Sequence, residues 1–95
     1  MNPLYLIAEI HPDQSKLEQA KTAYKALIAD TLKEPGCLLY DLVTEEGSAM
    51  WIMLEKWQSV EAWNSHMETE HVKHINSISH EFTESETKLR FLRSV

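Results

Sequence analysis

The segment from Ala49 to Trp57 is too apolar on both sides to be an ordinary half-buried strand. Side chains alternate across a strand, so Trp51, Met53, Glu55 and Trp57 share one face while Met50, Ile52 and Leu54 share the other. Neither set is simply polar, and a sheet built on this strand must be covered twice. The first periodic segment, Leu4 to His11, makes a similar demand. Leu4, Leu6, Ala8 and Ile10 fall on one side, and Tyr5 and Ile7 accompany Glu9 on the other. A chain of 95 residues with one long helix and two shorter ones cannot roof both faces by itself. A second copy of the same sheet is the natural cover, and two-fold dimers are the commonest assembly.

The remaining elements rest on periodicity and punctuation. Pro12 ends the first strand, and Asp13 or Ser15 can cap the helix after it; Ser15-Lys16-Leu17-Glu18 has the spacing of a capping box. Leu17, Ala20, Tyr24, Leu27, Ile28, Thr31 and Leu32 recur at helical intervals to about Lys33, where Pro35-Gly36 stops the helix. Cys37 to Thr44 reads as a strand, joined to Ala49–Trp57 through a turn at residues 45–48. Ser59 caps a short helix to about His66. Thr69 caps another to about Phe82, with His71, Ile75, Ile78 and Phe82 as its apolar stripe. A last strand runs from about Glu86 to Arg93. The order β-α-β-β-α-α-β predicts an α+β, ferredoxin-like fold with an antiparallel sheet and a second helix broken in two, as a single domain over residues 1–95.

Charge and composition narrow the function. The net charge is −6 and the nine basic residues are scattered, so a nucleic-acid partner is not expected. Cys37 is the only cysteine, which fits a reducing compartment. No signal-peptide pattern opens the sequence and no apolar run is long enough to span a membrane, so the expected location is the cytoplasm, without a membrane partner. No phosphate-cradling glycine motif is visible, and no cofactor is expected. His71 and His74 stand at helical i,i+3 spacing without an evident third or fourth ligand, so no metal site is expected either. Cys37 reads as a small turn-to-strand residue, with no histidine beside it in sequence to activate it.

Three segments in succession resemble the antibiotic biosynthesis monooxygenase family. They are Leu32-Lys33-Glu34-Pro35-Gly36-Cys37-Leu38-Leu39-Tyr40-Asp41, Leu54-Glu55-Lys56-Trp57-Gln58-Ser59-Val60-Glu61-Ala62 and His66-Met67-Glu68-Thr69-Glu70-His71-Val72. The likeness runs from Leu6 to Leu92 and is nearest to small quinol-monooxygenase-like proteins and to an isomerase acting on a signalling-molecule phosphate. It implies a homodimer in which two sheets face each other as an α/β-barrel, in agreement with the two-sided strands. It does not fix the reaction, because one fold carries several chemistries. Some oxygenases of the family carry Asn where Met53 stands, and haem-degrading relatives place Asn in the first strand, where this chain has none.

By that resemblance His66 is the first histidine of the family's "H..T.H" pattern and lines the pocket between helices and sheet. An imidazole titrating near neutrality can take a phenolic proton, although a histidine at a helix end can equally bond the last carbonyls. His71 is expected on the apolar stripe facing the sheet, as a core residue or a second pocket group. Glu55, among aromatic neighbours, needs a partner; it either bonds the neighbouring helix or manages a proton. Trp57 matches the family's pocket tryptophan. Trp63 and Met67 are expected on the opposite wall, with Tyr40 and Met53 as further lining residues that contact substrate. The implied function is cofactor-independent oxidation of a small electron-rich aromatic, such as a quinol, by molecular oxygen. Isomerisation or proton shuttling on a small oxygenated metabolite is the second reading, and a non-catalytic small-molecule-binding dimer the third.

Overall fold

Leu4, Leu6, Ala8 and Ile10 are each 5% exposed or less, while Tyr5, Ile7 and Glu9 between them are half-buried, so the alternation read from the sequence is realised in strand β1 (Leu4–Ile10). This computed structural model describes residues 2–95. After β1 come α1 (Leu17–Thr31), β2 (Cys37–Thr44), β3 (Trp51–Trp57), α2 (Val60–Met67), α3 (Glu70–Ile78) and β4 (Lys88–Leu92). The strands form one antiparallel sheet in the order β2-β3-β1-β4. Helix α1 carries the chain past the slot that β3 later fills, which is the split βαβ arrangement expected of a ferredoxin-like fold.

Strand register decides which residues meet under the helices. Leu4, Leu6, Ala8 and Ile10 pair with Trp57, Glu55, Met53 and Trp51, and Tyr40 of β2 pairs with Glu55. This face packs against Ala20, Tyr24 and Leu27 of α1, against Val72 and Ile75 of α3, and against Phe82. Tyr24 meets Trp51 and Phe82 edge-on, with centroids 6.3 and 5.7 Å apart. On the opposite face Ile7, Val43, Ile52 and Leu54 remain half-buried and Leu39 is exposed.

Three local expectations are corrected. The capping box does not form: Asp13 accepts from the Ser15 backbone N–H (2.9 Å) and hydroxyl (2.7 Å), opening a short 3-10 turn, and α1 begins after Lys16 with no side-chain cap. A lost cap costs about 1 kcal/mol, whereas burying Tyr24 or Leu27 contributes roughly 1.5–3 kcal/mol each, so packing rather than capping fixes this helix. Leu32 lies past the end of α1 and is exposed. Helix α3 stops at Ile78 and tightens into a 3-10 turn over Ser79–Glu81; Phe82 is buried from that turn, not from a continuous helix. Among the described residues, no helix is long and apolar enough to cross a membrane.

Candidate active site

The turn after α1 brings a carboxylate to a place that sequence spacing does not reveal. Gly36 has φ +85°, and a Cβ built there would sit 2.7 Å from the Ala62 Cβ of α2. Only a residue without a side chain fits both the backbone angle and the close approach. The Gly36 carbonyl accepts from the Gln58 backbone N–H at 2.8 Å, tying the turn to the end of β3. Glu34, two residues earlier, is thereby held beside the junction of α2 and α3.

That junction is itself built by caps. The Ser59 hydroxyl accepts from the Ala62 N–H at the start of α2. The Thr69 hydroxyl donates to the His66 carbonyl at 2.7 Å and accepts from the Val72 N–H, joining the end of one helix to the start of the next. His66 and His71 are held on either side of this cap. The Glu34 Oε2 lies 2.8 Å from His66 Nδ1 and 2.6 Å from His71 Nε2. An ionised carboxylate only accepts, so both of these nitrogens carry the hydrogen, leaving His66 Nε2 as the ring's lone-pair nitrogen.

His66 is 3% exposed and lies against the Trp57 indole (centroids 4.5 Å) and the Tyr40 ring (5.4 Å). Burial holds its pKa below the ordinary histidine value, even though the Glu34 hydrogen bond and charge pull the other way. At neutral pH the His66–Glu34 contact is therefore a neutral N–H donating to a carboxylate, not an ion pair.

His66 also lines a cavity of about 210 Å³. Tyr40, Met53 and Glu55 from the sheet and Trp63, His66 and Met67 from α2 line it, and exposed Asn76, Thr87 and Leu89 mark its mouth. Glu55 is 6% exposed and its Oε1 accepts from Trp57 Nε1 at 3.0 Å. Burial raises its pKa to about 7; the Trp57 hydrogen bond opposes the rise and the Glu34 charge adds to it. Burial, with the Glu55 and Glu34 charges, raises the Tyr40 hydroxyl, which stays protonated. The cavity thus holds a neutral imidazole and a carboxyl group that titrates near neutrality.

Most of the residues singled out from the sequence meet here. His66, Glu55, Tyr40, Met53, Trp63 and Met67 all face the cavity. Trp57 does not: fully buried, it stands behind Glu55 and His66 as their support. His71 does not face the sheet; it bonds Glu34 and is partly exposed. The partner of Glu55 is Trp57 on its own strand, not the neighbouring helix. Sequence reasoning misses Glu34 as a functional residue, although it sits in the Glu34-Pro35-Gly36 segment; the signal is a carboxylate just before a tight turn. Burial, with the Glu34 and Glu55 charges, pushes the Cys37 thiol up to about 11, so it is no thiolate nucleophile at neutral pH.

An antiparallel α+β sheet roofed by helices, with a histidine-walled cavity between the layers, is a small ferredoxin-like binding or catalytic domain. The family model described as antibiotic biosynthesis monooxygenase matches residues 3–77. The chain belongs to that family, which supports a monooxygenase-like role in general terms. Solved structures agree. A Pseudomonas aeruginosa protein is 28% identical with a TM-score of 0.91, covering 100% of this chain and 96% of its own. A conserved Methanosarcina mazei protein is 28% identical with a TM-score of 0.93, covering 100% and 95%. A Bacteroides thetaiotaomicron protein described as a possible oxidoreductase is 28% identical with a TM-score of 0.88, covering 98% of each chain. A search of curated proteins gives no match.

Proposed function

We propose that the protein oxidises a small, single-ring hydroquinone or similarly electron-rich phenol with molecular oxygen, without a bound cofactor, using His66 as the base. The observation that carries this reading is His66, buried on the cavity wall with its Nδ1 2.8 Å from the Glu34 carboxylate. Burial holds its pKa down, which leaves Nε2 as the nitrogen able to take a proton. Size limits the substrate: roughly 150 Å³ suffices for benzene in an engineered apolar cavity, so about 210 Å³ suits one substituted ring.

His66 Nε2 takes the phenolic proton, and the phenolate gives one electron to oxygen, forming a phenoxyl radical and superoxide. The two couple at a ring carbon, and the new peroxide is protonated from His66. Loss of the proton on that carbon, with cleavage of the O–O bond, leaves a carbonyl and expels hydroxide, which takes a proton from Glu55 to become water. The carbon-bound proton returns to the Glu55 carboxylate, so phenol and oxygen become quinone and water. Trp63, Met67 and Met53 present apolar surface to the ring and exclude water from the radical pair. With single-ring hydroquinones, oxygen uptake is expected to rise above the uncatalysed rate in proportion to protein. Uptake indistinguishable from buffer across such substrates would overturn the reading. Two proton-carrying groups on one cavity also suit isomerisation of a small oxygenated metabolite, and turnover that persists without oxygen would favour it.

The working unit in this proposal is a homodimer. Ile7, Val43, Ile52 and Leu54 form an apolar centre on the face away from the helices, with the Glu9–Arg90 pair (3.6 Å) at one side. A second sheet covering this face would leave the cavity, on the opposite side, intact. Sedimentation at micromolar concentration is expected to give twice the chain mass of 11.0 kDa; a stable monomer would remove this part.

A further inference from the structure

We propose that Glu34, His66 and His71 form a three-ligand site for a zinc-class divalent cation where the α1–β2 turn meets α2 and α3. Glu34 Oε2, His66 Nδ1 and His71 Nε2 all lie within 4.8 Å of one another. Two imidazole nitrogens and one carboxylate oxygen are a donor set that zinc accepts, with a fourth position for water. Zinc holds such atoms at about 2.0–2.2 Å, which sets neighbouring ligands about 3.3 Å apart in a tetrahedron. The two imidazoles now stand 2.8 and 2.6 Å from one oxygen and within 4.8 Å of each other, so the oxygen must draw back and the nitrogens close in, by side-chain shifts of about an ångström, to seat an ion.

Charge points the same way. Among the described residues Glu34 pairs with no Lys or Arg, only with the two imidazoles, and the Glu55 carboxyl lies close enough to feel its charge. The site is also graded in access: the side chain of His66 is 4% exposed, that of Glu34 11% and that of His71 21%. An ion can enter past His71 and keep water on that side. The Thr69 cap fixes the two histidines before any ion arrives, which lowers the cost of ordering ligands. His66 and His71 sit on two helices, five residues apart, and the third ligand comes from a distant turn; no ligand spacing within one helix announces the site.

Occupation has a consequence for the cavity. Coordination through Nδ1 moves the proton of neutral His66 to Nε2, turning the lone-pair nitrogen into a donor. A bound cation and the use of His66 as a base therefore exclude each other. The site itself does not depend on the oxygenase reading, and its test needs no turnover.

The full chain, stripped of metal, is titrated with Zn²⁺ by calorimetry and with Co²⁺ by visible absorption. One ion per chain and the intense bands of tetrahedral cobalt are expected. His71→Ala and Glu34→Gln should weaken binding by at least the roughly 10–100-fold that loss of even an outer-shell partner costs. His74→Ala and His80→Ala, which remove exposed imidazoles outside the cluster, should titrate as wild type. Circular dichroism and a melting curve check each variant; should Glu34→Gln fail to fold, the partly exposed His71→Ala carries the comparison. The site is refuted by no zinc heat and no cobalt bands up to millimolar metal. It is refuted equally by an affinity unchanged in His71→Ala or lost in His74→Ala.

Discussion

Glu55→Gln is expected to raise stability at pH 8 by about 3 kcal/mol and to flatten the pH dependence below it. The sign comes from linkage. The Glu55 carboxyl ordinarily titrates at 4.5, and in the folded chain burial, its largest cause, raises this to about 7. Below pH 4.5 the group is protonated in both states and its burial carries no charge penalty. Between those values the unfolded chain ionises first, so stability is lost as pH rises and the loss is complete above about 7. Each pKa unit is worth about 1.4 kcal/mol, which sets the order of magnitude. Glutamine keeps an oxygen for the Trp57 Nε1–H and carries no charge, so the strand pairing is undisturbed. Urea unfolding from pH 4 to pH 8 measures the effect. Burial of His66 pulls its pKa down and so acts in the opposite sense in both proteins. The difference between them therefore carries the result: a variant whose stability changes with pH alongside wild type would show that Glu55 stays ionised in the fold.

That carboxyl group also shows what the sequence can and cannot reveal. Its face, its burial and its need for a partner are set by two-residue alternation among Trp51, Met53 and Trp57, because pleat geometry is local. The identity of the partner is not: both the Trp57 indole and a helix are within reach of the sequence pattern, and χ angles decide between them. The same division runs through the molecule. The order of elements, helix existence and the cavity-lining residues Tyr40, Trp63, His66 and Met67 are legible, since each rests on periodicity or on a motif of contiguous residues. Glu34 is not, because its role depends on Gly36 folding the turn back against Ala62 and Gln58, a contact between segments more than twenty residues apart. His71 is misdirected for a related reason. A single apolar stripe through Phe82 requires one continuous helix, but α3 ends at Ile78, and the carboxylate of Glu34 draws the imidazole toward the loop.

Three substitutions around that carboxylate should give graded losses of oxygen uptake, measured with chelator present so that no cation occupies the site. His66→Ala removes the base and is expected to lower kcat by about 10²–10⁴-fold, the usual contribution of a positioned general base. Glu34→Gln leaves the imidazole in place and removes the charge that fixes its tautomer. An amide can present N–H as well as oxygen to Nδ1, so part of the population should hold Nε2 protonated and idle, and a loss of about 10–100-fold is expected. His71→Ala takes away only the second donor to the carboxylate and should cost least. All three should act on kcat with KM nearly unchanged, because Nε2 accepts its proton only as the transition state forms, while the ring is held by Trp63, Met67 and Met53. Equal activity in His66→Ala and wild type would remove the base from the mechanism. A fall that appears in KM alone would recast His66 as a binding group, and a His71→Ala loss as deep as that of His66→Ala would move the chemistry to the outer imidazole.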